Sequence, residues 1–284
     1  MDAYVTQSHR ERSPCETFEV TQTAQWFETI RTWMSTYDEI APRSIEGLYV
    51  IGSIALDDWQ PHSSDIDIVA ITTEPADEEM AATLLTAHAV FLERCPSARV
   101  DGPFLAWGDL TLSPQGATRP WTLDGDFHHD AECFELNPVT WHTLATHGIR
   151  VRGPEAAELD IPLDLDEFGR FITDNSRHYW KPVHDQFEAA LSEMRPTDTL
   201  PSSVPVWCLL GVCRMLYSAA TGGVTSKSAA GLWAADVLGE QHRKVCESVV
   251  ALRSEADQPV DFAMLRESLD AMAEALRQIK MLNR

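Results

Sequence analysis

Two aspartates separated by a single residue, Asp65 and Asp67, open an apolar run that continues through residues 68–71. A short apolar run of this kind predicts a β-strand, and side chains two positions apart on a strand emerge on the same face. Two carboxylates on one face can bind a hard divalent cation such as Mg2+, which prefers oxygen ligands and keeps open positions for phosphate. The pair therefore predicts a metal site that serves a phosphorylated substrate.

Gly52 and Ser53 follow a second apolar run, residues 48–51, and a polar loop containing Pro61 separates them from the aspartate pair. We interpret the stretch as strand, turn, strand. Because glycine has no side chain, a polyphosphate can approach the backbone closely at Gly52, and Ser53 offers a hydroxyl and an amide as donors. Residues 48–69 are therefore predicted to bind nucleotide phosphates, although an isolated pair of aspartates can also be the solvated face of an ordinary acidic hairpin.

Metal-dependent nucleotidyl transfer requires a third carboxylate, which completes the ion site or accepts the proton of the attacking hydroxyl. Asp101 lies in a predicted third strand within residues 97–112, and we assign this role to it. An aspartate that precedes a glycine can also be a simple turn former. In that case Asp109 or Glu135 would take its place.

The elements that position these groups follow from the hydrophobic pattern. A polar tail, residues 1–15, precedes a helix that begins near Thr21. Residues 76–95 start with acidic residues and carry apolar side chains at helical spacing, which predicts a helix packed on the sheet. Residues 135–154 predict a strand, a helix over 138–147 and a further strand.

From residue 165 onward the apolar period is helical, with Pro and Gly at the breaks. The predicted helices cover residues 166–180, 183–195, 203–221, 226–238, 240–254 and 260–281. We therefore predict an α+β protein with a small mixed sheet flanked by helices in residues 1–160 and an all-α helical bundle in residues 161–284. The cleft between the two domains is where a nucleotide and a second substrate could meet.

The net charge of −22, from 44 acidic and 22 basic residues, restricts the class of partner. Affinity for nucleic acid comes largely from Lys and Arg that neutralise phosphates, so no nucleic acid partner is expected. A cationic small molecule fits this charge better. The acidity can also serve only to keep a cytosolic protein soluble.

The remaining composition predicts a cytoplasmic protein that does not cross a membrane. The six cysteines show no paired metal spacing, which favours a reducing compartment. Residues 124–130 combine histidines and aspartates, but without the spacing of a zinc site, so we predict a solvated loop or strand edge there. The N-terminus has no apolar signal core, and the longest apolar run, residues 204–213, is too short to span a bilayer.

Two stretches resemble known families. Gly52-Ser53, eleven intervening residues and the Asp65/Asp67 pair resemble the signature of the DNA polymerase beta-like nucleotidyltransferase superfamily. Residues 207–235 resemble the C-terminal domain of the aminoglycoside adenylyltransferases that modify streptomycin and spectinomycin. The residues that match this second pattern are Arg214, Tyr217, Ser218, Ala219, Thr221, Gly222, Lys227, Ala230, Trp233 and Ala234.

The resemblance implies an N-terminal nucleotidyltransferase domain that uses ATP and Mg2+. It also implies that Arg214 and Lys227 reach the ATP phosphates from the helical domain, and negative charge that develops during phosphoryl transfer calls for such cations. The alternatives are a salt bridge of Arg214 at the domain seam and a solvated Lys227. The expected site thus consists of the metal ligands Asp65, Asp67 and Asp101 and the phosphate-binding side chains of Arg214 and Lys227.

Three positions depart from the family pattern. The third carboxylate of the family is usually Glu, whereas this chain has the shorter Asp101, which would have to sit closer to the metals. The family has an Asp, associated with streptomycin, ten residues before the motif Arg, and this chain has Val204 there. Trp141 is the nearest counterpart of a family Trp. The departures favour spectinomycin over streptomycin.

The sequence thus predicts an ATP- and Mg2+-dependent O-adenylyltransferase that transfers AMP to a hydroxyl of a small cationic acceptor, an aminoglycoside or aminocyclitol, and acts as a monomer or weak dimer. Two alternatives remain. The acceptor could instead be a lincosamide, a nucleic acid end or a protein side chain. The chain could also be a non-catalytic nucleotide-binding module, although such a module has no need of Ser53, Asp65 and Asp67 together.

Overall fold

The structure, a computed structural model, describes residues 14–112 and 118–282, with side chains from residue 25 onward. Most of the predicted tail, residues 1–13, lies outside this part of the chain. The first helix begins at Pro14, so Thr21 lies inside the helix rather than at its start.

Helices and strands alternate up to residue 152, and helices dominate afterwards. The elements of the first part are α1 (Pro14–Ile40), β1 (Ile45–Val50), α2 (Gly52–Ala55), β2 (Ile66–Thr72), α3 (Glu78–Arg94), β3 (Val100–Ala106), β4 (Trp121–Leu123), β5 (Asp126–His128), α4 (Pro138–His147) and β6 (Ile149–Arg152). Those of the second part are α5 (Leu165–Asn175), α6 (Lys181–Glu193), β7 (Thr199–Pro201), α7 (Ser203–Thr221), α8 (Lys227–Val237), α9 (Glu240–Arg253), β8 (Pro259–Asp261) and α10 (Phe262–Leu282).

The strands of the first part form a mixed sheet in the order β5-β4-β3-β2-β1-β6. Strands β2 and β3 are parallel because α3 connects them as a crossover, whereas the other pairs in this sheet are antiparallel. The predicted fold class, α+β with a mixed sheet and a C-terminal helical domain, is confirmed.

Alternating side chains of β1 and β2 enter two different cores. Leu48 and Ile68 pack in a core with buried residues of α1 and α3, while Tyr49 and Val69 pack in a core with α4 on the opposite face. Burial on both faces explains why these strands are almost continuously apolar rather than alternating. The sheet is therefore held in a fixed position between two helical layers.

The second part has its own apolar core, and α7 lies at its centre. By length and composition alone α7 could span a membrane, but 61% of it is buried inside the protein, as expected of a core helix. A short ribbon of β7 and β8 accompanies the helices. The boundary predicted at residues 160 and 161 stays a prediction, and the separate cores on either side support it.

Local differences from the sequence prediction occur next to the site. The turn predicted after β1 is the single helical turn α2, and the strand predicted before α4 is not formed, since Asn137 instead caps that helix. Residues Ser176–Trp180, predicted as part of one long helix, form a π-helical turn between α5 and α6. Such turns widen a helix locally and re-aim its side chains.

Candidate active site

Gly52 is packed directly against the carboxylate of Asp67. The backbone N–H of Ile51 donates to the carbonyl of Asp67 at 2.9 Å, which holds the end of β1 beside that residue. A Cβ added to Gly52 would lie 1.8 Å from Asp67 Oδ2, and Gly52 has a positive φ of 60°. The glycine is thus required by the protein itself, in addition to any close approach of a phosphate.

Asp101 lies beside Asp67 because β2 and β3 pair in parallel with these two residues as partners. The next residue, Gly102, permits this pairing, since a Cβ there would lie 1.9 Å from the carbonyl oxygen of Ile68. Asp101 is 3% exposed, and its Oδ1 has no hydrogen-bond partner among the described residues. A buried carboxylate oxygen without a partner is costly and indicates that a ligand completes its coordination.

The carboxylates of Asp65, Asp101 and Asp124 have oxygens within 4.8 Å of one another. Asp124 lies in the turn between β4 and β5, and this turn is solvated, as the sequence predicted. The sequence did not predict that the turn brings Asp124 to the carboxylates of β2 and β3. Clustered carboxylate oxygens, one of them buried and unpaired, fit a hard divalent cation such as Mg2+.

Burial raises the pKa of each carboxyl of the predicted triad. For Asp65, the neighbouring Arg99 opposes the effect of burial, whereas Asp67 adds to it. For Asp67, burial dominates over Arg214, the Ser53 N–H and Lys227, which all favour the charged form. Burial and the neighbouring Asp65 raise the pKa of Asp101 to about 7. Crowded carboxylates of this kind are poised to bind a cation or a proton.

Two cations of the C-terminal domain face these carboxylates. Arg214 lies in α7, and Lys227 is the first residue of α8, whose start is capped by Ser226. Among the residues that the structure describes, neither cation forms a hydrogen bond or an ion pair. Burial lowers the pKa of both. For Lys227 the positive charges of Arg214 and Arg253 add to this effect, and its pKa falls to about 8. The salt bridge considered for Arg214 and the solvated alternative for Lys227 are therefore not what the structure shows.

A cavity of about 350 Å3 lies between the domains and contains both sets of groups. Gly52, Ser53, Asp65 and Asp67 line it from the first domain, together with Glu135 from the segment before α4. Arg214, Lys227, Tyr179 and Trp180 line it from the second. The structure thus brings six of the seven predicted site residues to one cavity, while Asp101 lies buried behind Asp65 and Asp67.

Glu135 also lines the cavity, and burial, followed by the charge of Asp67, raises the pKa of its carboxyl to about 7. A carboxyl with this pKa can exchange a proton near neutral pH. The other reserve candidate, Asp109, was wrong as a metal ligand. Both oxygens of Asp109 bind the guanidinium of Arg119, at 2.6 and 2.9 Å, and Oδ2 also accepts the Ala106 N–H.

A buried ion pair joins the two domains beside the cavity, and no sequence pattern predicted it. Arg253 Nε lies 3.1 Å from Asp58 Oδ2, and these side chains are 4% and 7% exposed. The other oxygen of Asp58 accepts the hydroxyl of Ser228 at 2.6 Å, and the Asp58 carbonyl accepts Arg253 as well. The loop after α2 is thereby fixed to α8 and α9.

Two positions considered for acceptor choice lie elsewhere. Val204 packs against the C-terminal core and does not line the cavity. Trp141 is 3% exposed and belongs to the core below the sheet. Neither side chain contacts the cavity, so the argument from Val204 against streptomycin does not hold as a direct contact.

The chain is similar to known proteins in its C-terminal sequence and in its fold. Residues 175–278 match the family model of the aminoglycoside adenylyltransferase C-terminal domain. The fold is similar to that of spectinomycin adenyltransferase AAD(9) from Enterococcus faecialis, whose crystal structure was determined with ATP and spectinomycin. The two structures match with a TM-score of 0.64 and 14% sequence identity, and the match covers 89% of this chain and 99% of that one. No curated protein sequence matches the chain. The matched family segment contains both Arg214 and Lys227.

Proposed function

We propose a specific reaction from the premise that this chain is a nucleotidyltransferase and that its C-terminal domain belongs to the aminoglycoside adenylyltransferase family. The chain transfers AMP from ATP to a hydroxyl of a small cationic aminoglycoside or aminocyclitol. It does so in the cytoplasm, as a monomer or weak dimer.

One observation carries the proposal: a single cavity has carboxylates on one wall and unpaired cations on the other. Carboxylates alone would repel a triphosphate, and cations alone would bind any anion. Together they suit a nucleotide whose phosphates lie between a metal site and fixed positive charges. Arg214 and Lys227 have no hydrogen-bond or ion-pair partner within the described ranges, so their hydrogen-bonding capacity is available to a ligand.

The phosphates are held from both domains. Ser53 Oγ is buried, has no hydrogen-bond partner in the described part of the chain and lies next to Gly52, so it can donate to a phosphate oxygen. Arg214 and Lys227 bind the same phosphates from the opposite wall. Asp65, Asp67 and Asp101 would hold Mg2+, which when bound supplies positive charge to the attacking and leaving oxygens.

The reaction is an in-line displacement at the α-phosphorus. The acceptor oxygen forms a bond to this phosphorus while the bond to the bridging oxygen of pyrophosphate breaks, and pyrophosphate leaves with the electron pair. The hydroxyl proton passes to a carboxylate. Glu135 lines the cavity, and its pKa of about 7 suits a general base near neutral pH. Asp101 is the alternative acceptor if it serves as the base instead of a metal ligand. Arg214 and Lys227 stabilise the charge on the departing pyrophosphate.

The acceptor molecule binds at the aromatic side of the cavity, next to the charged residues. Tyr179 on the π-helical turn is 47% exposed and offers a flat surface for a sugar or cyclitol ring, with the buried Trp180 packed beside it. Glu135 supplies an acidic group for an acceptor amine. Spectinomycin is favoured because AAD(9), whose fold is similar, was solved with spectinomycin.

Mass spectrometry of an acceptor panel tests this function. The full chain is incubated with ATP, Mg2+ and, separately, spectinomycin, streptomycin, a lincosamide and a peptide. We expect a mono-adenylylated aminocyclitol and an equal amount of pyrophosphate, and neither with Asp67→Asn. If wild-type protein modifies only the lincosamide or the peptide, the acceptor class is wrong. If it modifies nothing yet binds ATP, the chain is a nucleotide-binding module.

A further inference from the structure

The guanidinium of Arg99 lies against the carboxylates that could bind a divalent cation. Its Nε lies 2.7 Å from Asp65 Oδ1, and its NH1 lies 4.0 Å from Asp124 Oδ1. These two aspartates and Asp101 are the residues whose oxygens lie within 4.8 Å of one another. A single positive side chain thus faces at least two of the three carboxylates.

The turn that carries Asp124 is held in place by contacts on both sides. Asp124 and Gly125 both have positive φ values, 52° and 89°, as the central residues of a tight hairpin turn require. The buried His88 on α3 donates its Nε2 hydrogen to the carbonyl of Gly125 at 2.9 Å. The backbone N–H of Asp124 donates to the carboxylate of Asp101. Asp124 is therefore positioned at the cluster.

An independent observation points to a ligand at this place. Asp101 is 3% exposed, yet its Oδ1 has no hydrogen-bond partner among the described residues. Arg99 contacts Asp65 and approaches Asp124, but in the part of the chain that the structure describes no ion pair joins it to Asp101. The guanidinium therefore neutralises the outer part of the cluster and leaves its buried oxygen unsatisfied, which a small ion bound deeper would correct.

We propose that Asp124 is an additional carboxylate ligand of the divalent cation and that Arg99 is a built-in counter-ion, which holds Asp65 and Asp124 until the cation displaces it. The inference rests on the proposed function for the presence of a metal. The side chains of Arg99 and Asp65 are 45% and 35% exposed, so the guanidinium can swing into solvent when the ion arrives. Competition of this kind sets the metal affinity of the enzyme before ATP binds.

Titration of Mn2+ into the full chain without ATP, followed by the loss of the free Mn2+ paramagnetic resonance signal, tests the proposal. Arg99→Gln removes the competitor and should tighten Mn2+ binding by about three- to thirtyfold. Asp124→Asn removes a ligand charge and should weaken binding by roughly tenfold. Arg150→Gln and Asp126→Asn are the controls. Arg150 forms a comparable exposed ion pair with Glu155, and Asp126 lies in the same hairpin.

Thermal unfolding supplies a second readout that a purely structural role would not produce. Without metal, Arg99→Gln should melt below wild type because the carboxylates lose their counter-ion. Saturating Mn2+ should abolish that difference. Arg150→Gln should show the same small change with and without Mn2+.

The outcomes separate this inference from the proposed function. Equal Mn2+ affinities in wild type, Arg99→Gln and Asp124→Asn would overturn it and leave the proposed function standing. Weaker binding in Arg99→Gln would mean that Arg99 supports the ion instead of competing with it, which also overturns it. A wild type that binds no Mn2+, even with ATP present, would refute the metal site on which the proposed function depends.

Discussion

Replacing Gly52 by alanine should disable the site while leaving the fold in place. The new Cβ would lie 1.8 Å from Asp67 Oδ2 and 2.5 Å from its Cγ, and real Cβ contacts essentially never fall below 3.0 Å. The Asp67 carboxylate or the start of α2 must therefore move by more than about 1 Å. A displacement of that size in a reacting group can lower turnover by about a hundredfold.

Backbone strain at this position has to be separated from the clash. Gly52 has a φ of 60°, and alanine in that region costs roughly 1–2 kcal/mol. Gly222 is the matched control, since its φ is 71° and an added Cβ there meets nothing within 4 Å. Both variants should lose stability from the strain in thermal unfolding, with a further loss in Gly52→Ala from the clash, whereas only Gly52→Ala should lose turnover.

The assay is pyrophosphate release with ATP, Mg2+ and an aminocyclitol, measured beside the melting temperature of each variant. We expect Gly222→Ala to retain turnover close to wild type. If Gly52→Ala keeps the same turnover as Gly222→Ala, the close packing of Gly52 on Asp67 has no part in the chemistry, and the reasoning is refuted.

Four further outcomes are expected. Burial lowers the pKa of the Lys227 ammonium to about 8, so this group is charged below that pH and neutral above it. The ATP affinity of the wild type, measured by calorimetry, should therefore fall as pH rises through 8, and that of Lys227→Met should be low at every pH. A wild-type affinity that does not depend on pH would contradict this. The same shift means that the cost of burying charged Lys227 is present below pH 8 and is relieved as pH rises towards 10.5, the ordinary value, so this residue's contribution to the free energy of unfolding should increase over that range. Arg253→Met should destabilise the protein by about 3–5 kcal/mol in urea, because Asp58 is left buried and unpaired, and a loss typical of a surface pair would show that the ion pair does not join the domains. Asp101→Ala should abolish transfer but spare ATP binding, and retained turnover would move the proton acceptor to Glu135.

The residues that the sequence identified share one property: their roles depend on local spacing. Asp65 and Asp67 lie on one strand, and the pairing of β2 with β3 then brings Asp101 to Asp67. Arg214 and Lys227 were identified by the pattern of two successive helices that the structure confirms. Period, motif and the family resemblance were sufficient to identify these residues, whose chemical roles stay predictions.

The residues that the sequence missed depend on contacts between distant segments. Arg253 and Asp58 are 195 positions apart, and nothing in the local pattern of either predicts their contact. Arg99 and Asp124 meet because β4 pairs antiparallel with β3, which places the β4–β5 turn beside the start of β3. The one-turn helix α2 is too short to show a helical period.

The wrong reserve assignment has the same origin. Asp109 stands near the end of the third strand, where a ligand was expected, but its carboxylate is bound by Arg119. Arg119 lies ten residues further along the chain, and no sequence pattern predicted this ion pair. The identity of a charged neighbour, rather than the position on the strand, decided between the candidates.

The central claim is that one nucleotide is bound by both domains, and titration calorimetry of ATP with Mg2+ tests it most directly. Arg214→Ala and Lys227→Ala are compared with Arg266→Ala, which loses a C-terminal ion pair with Glu188 away from the cavity. Each lost charge-assisted contact should weaken ATP binding by about ten- to a hundredfold, while Arg266→Ala binds like wild type. Unchanged dissociation constants in Arg214→Ala and Lys227→Ala would show that the helical domain does not hold the nucleotide and would contradict the placement of the active site between the domains.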